Sequence, residues 1–70
     1  MNNTFTAVVK KVKGWWIGWI EEVPGVNCQE KTRAGLIKTL SITLKEAIQL
    51  NRKEALRAAY SGYSEELVHV

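Results

Sequence analysis

Seventy residues with a formal net charge of +3 bound a single small domain, mildly basic and well short of a nucleic-acid-binding composition. One cysteine and one histidine exclude an internal disulfide and give a poor set for a structural zinc site, which needs about four N or S ligands. No apolar run approaches membrane-spanning length and no signal peptide leads the chain, so a cytoplasmic protein is expected.

Size sets the first constraint. At 7.9 kDa, folding removes roughly 7,000 Å² of surface from water, of which about 4,200 Å² is apolar. That burial is worth ~105 kcal/mol at ~25 cal/mol per Å², and ordering the chain costs about the same. A chain so balanced needs a staple. With disulfide and metal absent, association with a second polypeptide is what remains.

Residues 4–13, TFTAVVKKVK, are rich in β-branched side chains and alternate Phe5, Ala7 and Val9 with Thr6, Val8 and Lys10, the pattern of a strand. Lys13-Gly14 suits a tight hairpin turn. Residues 15–21, WWIGWIE, form the returning strand. Pro24-Gly25 has the chemistry of a type II turn. Residues 26–31 follow as a short third strand, with Val26 and Cys28 facing one way.

From Thr32 the period changes. Leu36, Ile37, Leu40, Leu44, Ala47, Ile48 and Leu50 span about 160° of a helical projection, one face of an amphipathic helix. Thr32 is the expected N-cap, Gly35 stands where a capping box wants Glu or Gln, and Ile42 lies off the stripe. Residues 51–60 continue the helix, Gly62 is expected to stop it, and residues 65–70, EELVHV, are a candidate final strand. The predicted fold is α+β: a small antiparallel sheet in the order β-β-β-α-β with one long helix packed on one face.

The second strand does not fit a sheet with one wet face. It sends Trp15, Ile17 and Trp19 to one side and Trp16, Gly18 and Ile20 to the other, whereas such a strand should alternate apolar with polar. One helix covers one face, so large apolar groups remain on the opposite face, the mark of a binding surface. Which face is core and which is interface stays open at this stage. Trp15, Trp16, Ile17, Trp19 and Ile20 are therefore the candidate partner or self-interface, tryptophan being over-represented at interface hot spots.

The stretch WWIGWIEEVPGVNCQEKTRAGLIKTLSITLKEAIQL resembles the N-terminal domain of HicB-type antitoxins and the related small HicB-like proteins. The resemblance covers about residues 4–51 and rests on the order and spacing of Trp16, Gly18, Trp19, Glu21, Pro24, Gly25, Thr32, Leu36, Leu40, Glu46 and Ala47. It implies a partial ribonuclease-H-like fold and a non-enzymatic binding role, in which a HicA-type RNA-cleaving toxin is neutralised by steric occlusion. The missing staples and the second apolar face, rather than the resemblance, predict a homodimer or higher homo-oligomer that uses the aromatic face of the second strand, the last strand, or both. Many such antitoxins carry a C-terminal DNA-binding domain; this chain ends at Val70 without one, so no DNA binding by itself is expected. Glu21, Glu22, Arg52 and Arg57 are the possible toxin-facing charges.

Catalytic readings are weak. A two-metal nuclease needs several convergent carboxylates; the chain has no aspartate, and Glu21 and Glu22 point apart if both lie in a strand. His69 has no catalytic partner at a recognisable spacing and reads as a surface or edge residue. Cys28 reads as a small apolar side chain. No cofactor, metal or membrane partner is expected. The rival function is a single-stranded RNA-binding module, with Lys10, Lys11 and Lys13 beside the tryptophans supplying phosphate contacts and stacking; lysines guarding an edge strand give the simpler explanation.

Overall fold

The computed structural model describes residues 4–70. Among them lie three strands and one helix, β1 (Ala7–Val12), β2 (Trp15–Ile20), β3 (Asn27–Glu30) and α1 (Arg33–Ala59). The strands form an antiparallel sheet in the order β1-β2-β3. The α+β class and the three-strand-then-helix order agree with the sequence reading.

The β1–β2 hairpin closes through two residues, with Val12 opposite Trp15. Lys13 and Gly14 both take positive φ, 50° and 84°, the left-handed pair that matches the strand twist in a two-residue hairpin. This turn fixes the register and therefore which side chains share a face. A longer connection joins β2 to β3, closed by the Ile20 N–H donating to the Val26 carbonyl at 3.2 Å.

α1 starts as expected. Thr32 has extended backbone and its hydroxyl accepts from the Gly35 N–H at 3.0 Å. Leu36 and Leu40 then point into the sheet and join Ile20 and Val26 as the buried core. Phe5, Val9, Trp16, Val23, Cys28, Leu44 and Ala47 pack around them. Two side-chain bonds fasten α1 over β3: the Thr39 hydroxyl donates to Glu30 Oε2 at 2.9 Å, and the Cys28 thiol to Thr43 Oγ1 at 3.6 Å.

Two features of the C-terminal third depart from the sequence reading. The helix stops at Ala59, one residue short of the expected end, and Tyr60 rather than Gly62 terminates it. Tyr60 caps it with φ 65° and ψ −75°, its N–H donating to the carbonyls of Leu56 and Arg57, and the Ser61 N–H donates to Ala59 O at 2.8 Å. This is a tight three-residue turn of a strained kind. Residues 65–70, expected as a last strand, carry no strand or helix. A strand needs a neighbour to take its N–H and C=O groups, and this segment instead has Glu65 paired with Arg52 of α1 at 3.3 Å. The observed order is β-β-β-α.

α1 is also longer than the sheet beneath it. Its 27 residues span about 40 Å at 1.5 Å per residue, whereas six-residue strands span about 20 Å. Core-facing helix residues end at Ala47, so residues 48–59 overhang. The radius of gyration is 15.1 Å and the long axis 51 Å; a compact globule of this length has a radius near ~11 Å.

Candidate functional site: the open sheet face

Gly18 decides which face α1 covers. It is buried at the centre of β2, and Leu36 and Leu40 lie directly over it. Residues alternate across a strand, so Trp16 and Ile20 share the helix side, and both belong to the core or pack against it. Trp15, Ile17 and Trp19 take the other side, away from α1.

Register completes the open face. Residues directly opposite on paired strands share a face. Val12 lies opposite Trp15, Lys10 opposite Ile17 and Val8 opposite Trp19 on β1. Gln29 faces Ile17 and Asn27 faces Trp19 on β3. An apolar stripe of Val12, Trp15, Ile17, Val8 and Trp19 thus runs along the β1–β2 hairpin, bordered by Lys10 on one strand and by Asn27 and Gln29 on the other. A shallow groove between β2 and β3 is lined by Ile17, Trp19, Asn27 and Gln29. Trp19 and Val12 are 38% and 37% exposed, and Trp15 and Ile17 are half-buried.

Lys31, just past β3, places its ammonium 3.8 Å from the centre of the Trp15 ring. Such a contact at an exposed site is worth about 0.5–1 kcal/mol. It puts a positive charge at one end of the stripe.

The five sequence-selected interface residues are therefore split. Trp15, Ile17 and Trp19 share the open face. Trp16 and Ile20 lie under α1, and Ile20 is buried. Val8, Val12 and Lys31 belong to the open face and were not among the sequence candidates. Val8 and Val12 were accessible to reasoning, because a two-residue turn at Lys13-Gly14 fixes their partners; Lys31 falls on the parity of Asn27 and Gln29.

The four charged candidates do not converge on this face. Glu22 sits in the β2–β3 connection, where its Oε1 accepts from the Thr6 N–H at 2.8 Å. That backbone donor holds its carboxyl below the usual range. Glu21 is exposed beside it, its own N–H donating to the Thr6 carbonyl at 2.9 Å. Arg52 pairs with Glu65, and Arg57 with Glu54 at 3.2 Å, both on the overhanging part of α1. The Glu65 carboxylate raises the already high pKa of Arg52.

Among the described residues, no three His, Cys, Asp or Glu side chains come together to hold a metal ion, and no helix is long and apolar enough to cross a membrane. The accessible surface is 5963 Å², whereas a compact chain of 7.9 kDa exposes about 4,400 Å². The excess is roughly 1,500 Å². Comparison with family models, with curated proteins and with solved structures finds no match to this chain.

Proposed function

We propose that this chain is a non-enzymatic protein-binding module of the HicB antitoxin type, which acts in the cytoplasm and neutralises a HicA-type RNA-cleaving toxin by covering its RNA-binding surface. The observation that supports this reading best is the uncovered Trp15–Ile17–Trp19 stripe. Large flat aromatic side chains, bordered by polar residues and backed by a rigid sheet, are the usual anchors of a protein interface. Occlusion requires no chemistry of this chain, only shape and apolar area.

In this reading the three strands and α1 are the first part of a ribonuclease-H-like sheet. Glu21 and Glu22, at the β2–β3 end, offer the negative charge that a basic toxin would meet. Arg52 and Arg57 are engaged with Glu65 and Glu54 and have a smaller part.

The test is co-expression with a HicA-type toxin in growing cells. Rescue by the wild-type chain, lost when Trp15 and Trp19 are both changed to Lys in a chain that keeps its helical circular dichroism, supports the reading. Absence of rescue by the wild-type chain defeats it.

A second reading draws on Lys10 and the Lys31–Trp15 contact, which place cations beside aromatics on one face, the arrangement of a single-stranded RNA platform. Fluorescence anisotropy of labelled single-stranded RNA distinguishes the two. Salt-sensitive binding that disappears in Trp19→Ala favours RNA; absence of binding at low salt removes it.

A further inference from the structure

β1 and β3 are the two edge strands of the sheet; α1 packs on β2 and β3, leaving Ala7 and Lys11 of β1 exposed on the helix side. Between β1 and α1 runs a groove lined by Phe5, Ala7, Ile20, Ile37, Leu40 and Leu44. Ile37 borders it and is 41% exposed. An unpaired strand edge beside an apolar groove is a template for a further strand.

The same chain exposes a segment suited to fill it. In residues 65–70, Leu67 and Val68 are 72% and 84% exposed, and the backbone has no ladder. Laid antiparallel on β1, Glu65 falls opposite Lys11, Glu66 opposite Lys10, Leu67 opposite Val9 and Val68 opposite Val8. At these four positions charges meet opposite charges and apolar groups meet apolar groups; beyond them His69 falls opposite Ala7 and Val70 opposite Thr6. Leu67 then enters the groove beside Val9, and Glu65 meets Lys11 on the same face, as strand alternation requires.

A chain's own tail is badly placed for this. α1 carries it off the sheet, and Glu65 still lies beside Arg52, more than a full turn beyond Ala47, the last core-facing residue. Where Glu65 and Glu66 are needed against Lys11 and Lys10, the tail is alongside the overhang. A second copy has no such restriction. The excess surface of about 1,500 Å² is ample against the ~800 Å² per partner of an ordinary stable interface.

We propose that two copies of this chain exchange residues 65–70, each tail adding an antiparallel fourth strand to the β1 edge of the other in a two-fold dimer. Two equivalent exchanged strands make the contact closed and self-limiting. The inference makes no use of the toxin reading: it sets Glu66 and Val68 beside Lys10 and Val8 at the margin of the open face and leaves Trp15, Ile17 and Trp19 of β2 uncovered.

Charge reversal tests it. Lys10→Glu and Glu66→Lys are surface changes made in separate chains. Each variant alone places like charges opposite each other at both exchange sites; the mixture of the two restores opposite charges at both. In sedimentation equilibrium at micromolar concentration and low salt, the wild-type chain is expected at twice its monomer mass, each variant near monomer mass, and the equimolar mixture again at twice. A monomeric wild type overturns the proposal. So does a dimer unaffected by either change, or a mixture that stays monomeric, the result expected if each tail pairs with its own β1. Circular dichroism of each variant, with helix content equal to wild type, shows that loss of mass is not loss of fold.

Discussion

Gly18 and Leu36 are in such close contact that a Cβ on the glycine would stand 3.1 Å from Leu36 Cδ2. It would also meet Leu40 Cδ1 at 3.2 Å and the Val8 carbonyl oxygen at 2.9 Å. The absence of a side chain lets α1 settle onto β2, and the backbone oxygen cannot move aside without straining the β1–β2 ladder. Gly18→Ala is expected to destabilise by about 1–3 kcal/mol, the usual cost of overpacking, measured by urea unfolding. Stability equal to wild type would show that α1 is free to lift.

Leu40 tests the core from the other side. It is 2% exposed in a core of four buried residues. Leu40→Ala should cost about 2–5 kcal/mol, while a chain this short has about 4–10 kcal/mol in all. The variant is therefore expected to be partly or wholly unfolded at room temperature, visible as lost helical circular dichroism.

The start of α1 depends on one hydroxyl. Thr32→Ala removes the acceptor for the Gly35 N–H and should cost about 1 kcal/mol, read as a lower urea midpoint at unchanged slope. Gly35 is also explained here: a Cβ on it would lie 2.9 Å from Thr32 Oγ1. Gly35→Ala is thus expected to gain less than the roughly 1 kcal/mol that helix propensity alone allows, because it presses on the cap.

Glu22 gives a pH dependence with a definite sign. Its carboxyl is held below its ordinary value by the Thr6 N–H. A folded-state pKa below the unfolded one means that the contribution is complete above the unfolded pKa and is lost as pH falls through the folded value. In wild type the Glu22 carboxyl resonance should titrate below that of an exposed glutamate. Glu22→Gln should make stability depend less on pH across that acid window, in unfolding curves recorded through it.

The elements whose cause is local were legible in the residues themselves. The Lys13-Gly14 turn, the Thr32 cap and the Leu36–Leu40 stripe depend on neighbours a few positions away. The choice between the two faces of β2 was not legible, because both are apolar; Gly18 decides it through contact with a helix more than fifteen residues further on. Tyr60 gave no signal as a helix stop, since a tyrosine rarely takes positive φ, and Gly62 was the better prior. The strand expected at residues 65–70 failed for a related reason: its β-branched composition is real, but pairing depends on a neighbour that the helix carries out of reach. Of the site, parity grouped Trp15, Ile17 and Trp19 on one face without marking that face as the open one, and Lys31 over Trp15 needed coordinates.

In the proposed function the Trp15–Ile17–Trp19 face receives a second protein. Calorimetric titration of the chain with a catalytically inactive HicA-type toxin tests it most directly. Saturable binding with a negative heat-capacity change, the mark of apolar burial, is expected, abolished by Trp19→Lys in a chain that remains folded. Binding that survives Trp19→Lys unchanged, or no binding by the wild-type chain, contradicts it.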